Sequence, residues 1–241
     1  MKLLIDIGNT RAKWALWNGA DLQATDAALH GDIDVSKWRD LPTVASVWVA
    51  SVASNAQNEH VAALVKQRFG LTAQFVHSRA QACGVRNAYA QPERLGVDRF
   101  LTLIATHAYA QGPSVIASCG TAFTLDALAA DGTHLGGLIA ASPELALAAL
   151  RGGTANLGVA PRGSIVEIAA NTADAMESGA WLAVVALTER FVAHAAQRFE
   201  ATAALTLTGG GAARLGELLR VPHHIDAQLV LRGLAVIADC V

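Results

Sequence analysis

Cysteine is scarce in this chain. Cys83, Cys119 and Cys240 make an odd count with no C-x-x-C pair. That argues against a disulfide framework or a zinc centre and for a reducing, cytoplasmic setting. Charge is thin as well, at 16% of residues, and Lys and Arg never form a run. With 18 basic and 20 acidic residues the net charge is -2, so neither nucleic acid nor an anionic membrane is expected as a partner. No apolar run has the length of a membrane span; Gly136 to Leu150 comes nearest, and Pro143 and Glu144 interrupt it. Only three apolar residues lead into Asp6, too few for a secretory signal. The chain lacks G-x-x-x-x-G-K-[ST], G-x-S-x-G and any Cys/His nucleophile arrangement, and its eight histidines show no metal-ligand spacing. The one pair, His223-His224, reads as a surface turn.

What the chain does have is apolar mass. Hydrophobic residues make up 53% of 241, enough for one large domain or two small ones with a sizeable core and little disorder. Lys2–Ile7 and Ala12–Trp17 read as paired strands, Ser46–Val52 as a buried strand, Asn58–Phe69 as a helix and Gln74–Val76 as a short strand. Leu95–Ala110 reads as a helix with an apolar stripe of Phe100, Leu103, Ile104 and His107. Gly112-Pro113 then breaks the pattern and suggests a division into residues 1–112 and 113–241. After the break the opening theme returns: strand Ser114–Ser118, the turn Cys119-Gly120-Thr121, strand Ala122–Leu128, and a third strand Leu135–Ala140. This internal echo suggests a duplicated α/β domain with a cleft between the halves. Glu144–Leu150, Asn171–Phe199, Ala212–Leu219 and Gln228–Ala238 read as helices and Ala204–Thr208 as a strand. Apolar residues wrap Asn171–Phe199 on several sides, which suits a core or a subunit interface.

Four places carry the chemistry. In Asp6-Ile7-Gly8-Asn9-Thr10-Arg11-Ala12-Lys13 a tight turn follows an apolar strand. Amides there can cradle a phosphate chain, Asp6 can hold its magnesium and Lys13 can meet a phosphate; an ordinary hairpin with a capping aspartate reads as well. Thr121, in the second turn, can reach a phosphate from another wall. Thr208-Gly209-Gly210-Gly211 ends a strand in glycines that would admit a flat base or ribose, or merely form a loose connection. Asp98 and Arg99 follow Gly96 in the first turn of a helix. Asp98 suits the dipole there, whereas Arg99 opposes it and asks for an anionic ligand.

The first turn resembles the phosphate loop of the acetate and sugar kinase, Hsp70 and actin superfamily. Asp6-Ile7-Gly8-Asn9-Thr10 combines with Tyr89, Pro92 and Leu95-Gly96-Val97-Asp98-Arg99, with Gly120-Thr121-Ala122 and Asp126, and with Asn171-Thr172 and Thr208-Gly209-Gly210. In that combination the chain resembles type III pantothenate kinases over nearly its whole length. The resemblance implies two duplicated ribonuclease H-like α/β domains of the actin-like ATPase fold, with an interdomain cleft. It implies transfer of the γ-phosphoryl group of ATP to the 4′-hydroxyl of pantothenate, the first step towards coenzyme A. It also implies site roles: Asp6, Ile7, Gly8, Asn9, Thr10, Arg11, Ala12, Lys13 and Thr121 at ATP, Asp6 at magnesium, and Asp98 as general base. Tyr89, Gly96, Val97, Asp98, Arg99 and Thr172 would bind pantothenate. Thr172 would come from a partner subunit, so a homodimer is expected. The family's second turn is usually Asp-x-Gly-Thr, whose aspartate holds potassium or ammonium; Ser118 stands there instead and offers a weaker, neutral oxygen. Two other readings stand beside this one: a transcription accessory factor of the same fold without kinase activity, and a kinase for another small alcohol or a polyphosphate-type hydrolase.

Overall fold

A computed structural model describes residues 1–153 and 161–240. The chain divides into two compact units, one made of Met1–Gln111 with Asp131–His134 and the segment from Gln228 onward, the other of Gly112–Ala130 and Leu135–Ala227.

The first unit is built on β1 (Lys2–Ile7), β2 (Arg11–Trp17), β3 (Leu22–Leu29), β4 (Ser46–Ser51) and β5 (Ala73–Phe75), in the order β3-β2-β1-β4-β5. β1 runs antiparallel to β2 and parallel to β4. Its odd-numbered side chains, Leu3, Ile5 and Ile7, enter a core with Trp14, Trp38, Val47, Val49, Val61 and Val65. The latter two come from α1 (Asn55–Phe69). That helix starts three residues before the expected Asn58, because Ser54 and Gln57 form a capping box. Leu4 and Ala50 are fully buried on the opposite face, where α2 (Val97–Tyr109) and, further along the chain, the C-terminal helix lie. A strand buried on both faces is what the unbroken run Leu3-Leu4-Ile5 calls for. Between β5 and α2 a small hairpin forms from β6 (Gln81–Ala82) and β7 (Val85–Arg86).

The second unit repeats the plan. β8 (Ser114–Cys119), β9 (Ala122–Leu128), β10 (His134–Ala141), β11 (Ala204–Thr208) and β12 (His224–Ile225) follow the order β10-β9-β8-β11-β12. β8 is antiparallel to β9 and parallel to β11, matching β1 with its neighbours. One face carries Val115, Ala117, Cys119, Phe123, Leu125, Leu205 and Leu207 into a core with Trp181 and Val184 of α4 (Thr172–Phe199). The other carries Ser118, Thr124 and Thr208 in one row, with Asp126 two residues along β9. α3 (Pro143–Gly153) and α5 (Ala212–Leu218) complete this unit.

Two expectations change. The C-terminal helix α6 (Leu229–Cys240) belongs with the first unit, not with the second half of the chain, because its apolar side packs on α2. Gly233 lies so close to the Leu101 backbone that a β-carbon there would collide with it. His224, expected in a turn, starts the edge strand β12, pairing with Thr206. Among the described residues, no helix is long and apolar enough to cross a membrane.

Candidate active site

In the first unit the β1–β2 hairpin places Asp6 directly opposite Lys13 and Ile7 opposite Ala12. The turn closes when the Gly8 amide donates to the Arg11 carbonyl, 3.0 Å away. That amide, expected to meet a phosphate, is therefore committed to the hairpin. Asn9, Thr10 and Arg11 remain exposed at its tip. A residue that sequence reasoning passed over steadies the turn: His30 Nε2 lies 2.8 Å from the Gly8 carbonyl oxygen. Asp6 is half-buried on the Leu4 face of β1. Burial pushes its carboxyl up to about 7, Lys13 opposes that shift, and the charge of Asp98 adds to it. Asp6 and Asp98 therefore sense one another as like charges.

Asp98 and Arg99 start α2. Gly96 is its N-cap, and the Phe100 amide donates to the Gly96 carbonyl at 3.0 Å. The Asp98 carboxylate folds back at the helix mouth, where its Oδ1 accepts the Arg99 amide at 2.8 Å. A β-carbon on residue 96 would come within 2.6 Å of that same oxygen, so glycine makes room for the carboxylate. Arg99 is buried and its Nη1 donates to the Tyr89 hydroxyl at 3.0 Å. The guanidinium also lies 5.8 Å from the Tyr89 ring centroid. Tyr89 is set by its own backbone amide, which donates to Asn87 Oδ1 at 3.0 Å. Its ring stacks on His134, centroids 6.2 Å apart and planes 16° apart. Neither His30 nor His134 left a signal in the sequence beyond being a histidine.

In the second unit the Cys119-Gly120-Thr121 turn closes on a Gly120 amide that donates to the Ala122 carbonyl, 3.0 Å away. Thr121 is exposed, and its carbonyl accepts from Ser142 Oγ at 2.9 Å. The three glycines after Thr208 divide in purpose. Gly209, at φ +90°, would bring a β-carbon within 2.5 Å of the Cys119 carbonyl oxygen, and Gly211 would do the same to Cys119 Sγ. The Gly211 amide donates to the Cys119 carbonyl at 2.9 Å. Two of the three are thus required by contact with the β8–β9 turn, and only Gly210 faces open space. Behind them Arg214 stacks on Trp181 at 4.9 Å and pairs with the buried Glu177 at 3.2 Å. Ser118 is half-buried, opposite Thr124 and Thr208. Thr172 opens α4 behind the Asn171 cap, whose side chain accepts the Asp174 amide at 2.9 Å. It lines a shallow hollow of about 600 Å³ with Ala169, Ala170 and Met176.

Two five-stranded sheets of one order, each opening on a glycine hairpin, define the duplicated α/β architecture of actin-like ATPases and sugar kinases. A conserved putative Baf family transcriptional activator from Campylobacter jejuni has this fold: it superposes with a TM-score of 0.62 over 98% of this chain and 97% of its own, at 19% identity. That likeness speaks for the fold alone. The family model for type III pantothenate kinase matches residues 2–194. A type III pantothenate kinase of Chromobacterium violaceum is 40% identical over 99% of this chain and 100% of its own. One from Xanthomonas oryzae pv. oryzae is 41% identical over 96% and 95%. The chain belongs to the type III pantothenate kinase family and is an ATP-dependent kinase. The accessory-factor reading is not favoured.

Proposed function

We propose that this chain transfers the γ-phosphoryl group of ATP to the 4′-hydroxyl of pantothenate, opening coenzyme A synthesis, and that the residues at the two hairpins and at the mouth of α2 do the work. The observation that carries the reading is the Asp98–Arg99 pair at that helix mouth, close enough to Asp6 for the two carboxyl groups to perturb each other. In this reading Asp6 to Lys13, with Thr121, hold the phosphates. Lys13 supplies a point charge, and the amides beyond Gly8 supply donors. Among the described residues no group of three acidic, His or Cys side chains could hold a metal. A magnesium ion here would take Asp6, directly or through water, and draw its other oxygens from the nucleotide and solvent, which suits its habits. When bound it neutralises charge on the phosphates.

The acceptor would lie with its carboxylate at Arg99 and the first amides of α2, where a helix N-terminus and a guanidinium both favour an anion. Tyr89, Gly96 and Val97 shape that end. Asp98 would orient the hydroxyl and take its proton late, since a loose phosphoryl transition state asks little of a base. Thr172 would complete the pantothenate site from a second copy. Exposed Leu135, Leu138 and Ile139 on β10, with Leu145 and Leu150 on α3, offer the apolar surface a homodimer needs. A monovalent cation, potassium or ammonium, would meet the neutral hydroxyl of Ser118 in place of a carboxylate, so its requirement should be weak. Three free cysteines agree with a cytoplasmic enzyme. An ADP-release assay with and without pantothenate, repeated with and without potassium, tests the reading. ATP loss that ignores pantothenate would favour a hydrolase, and no ATP loss with pantothenate a kinase for another alcohol.

A further inference from the structure

His134 is the first residue of β10, yet it and the turn before it pack within the first unit. The turn is pinned there. The Arg86 amide donates to the Gly132 carbonyl at 2.8 Å, and Arg86 Nη2 meets Asp131 at 2.6 Å and also bonds Thr133. Gly132 sits over Gly84 so closely that a β-carbon would strike the Gly84 carbonyl. A buried imidazole, 1% exposed, is thereby delivered under the ring of Tyr89. Its Nδ1 accepts the Ala88 amide at 3.4 Å. The imidazole therefore meets Tyr89 through the ring face and holds the backbone of its neighbour Ala88. Tyr89 in turn holds the Arg99 guanidinium by its hydroxyl.

We propose that His134 is a positioning residue for the acceptor substrate: it sets the Tyr89 ring, and Tyr89 sets the Arg99 guanidinium that receives the acceptor's carboxylate. The inference rests on the pantothenate reading of that pocket. It assigns His134 no contact with substrate and no part in proton transfer. Its action is confined to the acceptor end, so the nucleotide end should not notice its loss.

The test is a set of four proteins, wild type, His134→Ala, Tyr89→Ala and the double variant, with His134→Phe as the conservative control. His134→Ala should raise the KM for pantothenate about tenfold, the sum of one stacking contact and one hydrogen bond. The KM for ATP and kcat should stay within about threefold. His134→Phe, which keeps the stack, should recover most of the loss. In the double variant the KM should match that of Tyr89→Ala alone, since coupled residues do not add. A folded His134→Ala with unchanged pantothenate KM, an equal rise in the KM for ATP, or additive effects in the double variant would each overturn the proposal. Thermal melts of the same four proteins read the His134–Tyr89 coupling without substrate. If wild type makes no ADP with pantothenate, the reaction assignment fails, and the melts still decide whether His134 sets Tyr89.

Discussion

Asp6 and Lys13 stand directly opposite each other in the β1–β2 ladder, one a carboxyl lifted to about 7, the other the cation that pulls it back down. Burial outweighs the lysine, and the carboxyl must also bear the charge of Asp98. A folded-state value above the ordinary 3.8 means that the ionised group opposes folding. Below about pH 4 both states hold the proton and nothing is lost. Between pH 4 and 7 the unfolded chain gives it up first, so stability falls as pH rises, and above 7 the penalty is constant. Asp6→Asn in magnesium-free protein should thus melt higher than wild type at pH 8, by roughly 2 kcal/mol after allowance for solvent around a half-exposed group, and match it at pH 4. The same variant should lose turnover. Melting curves of both proteins across that range check the first claim; an equal gain at both pH values would contradict it.

Asp98→Asn keeps an oxygen to accept the Arg99 amide, so α2 should start as before. What it lacks is a proton-accepting carboxylate. Turnover should fall by about a hundredfold or more, with no loss of stability in the melt. Near-normal kcat in the Asn variant would remove Asp98 from the proton step.

Gly96→Ala tests the same oxygen from the other side. Its methyl would come within 2.6 Å of Asp98 Oδ1, and the carboxylate must swing away. The backbone at φ -53° and ψ 135° tolerates alanine, so folding should survive. Expected is a drop in kcat of about tenfold, from displacement on the scale of an ångström, measured beside Asp98→Asn to see whether the two losses overlap.

Glu177 is 2% exposed, and Arg214 is its close partner at 3.2 Å. Arg162, at 3.8 Å and far more exposed, is a weaker one. Arg214→Ala leaves a buried carboxylate short of its main charge partner and uncovers Trp181. We expect a loss of about 2–4 kcal/mol by chemical denaturation. Arg162→Ala should cost well under 1 kcal/mol.

The thiols should separate by reactivity. Burial lifts Cys119 to about 12, with Glu144 adding to it, and burial with a hydrogen bond to Cys240 raises Cys83. Thiolate is the reactive form. Iodoacetamide at pH 8 should label exposed Cys240 quickly and Cys119 only after unfolding, as peptide mass spectrometry would reveal.

Much of this architecture was legible in the chain because its strands are apolar and its turns carry glycine. β1, β2, β4, β8 and β9 fall close to their expected bounds for that reason. β3 did not, since Leu-Gln-Ala-Thr-Asp-Ala-Ala-Leu has no alternation and only one β-branched residue, Thr25, and the strand exists through its ladder to β2, bulged between Trp14 and Leu16. That Asp6 flanks a glycine hairpin and that Asp98 and Arg99 open a helix could be read locally, from the glycines beside them. His134 could not, for its meaning lies in a stack with a residue 45 positions away. The glycines after Thr208 show the reverse error: an expected ligand surface is mostly a contact with Cys119.

The placing of α6 governs how the protein can be made. Leu231, Leu234 and Ala235 seal a layer whose other members, α2 and the first sheet, leave the ribosome long before them. The rest of the first unit must therefore wait, its apolar surface uncovered, until α6 has been made. Deletions that remove α6 will consequently be felt first near the opposite end of the sequence, at α2 and the first sheet.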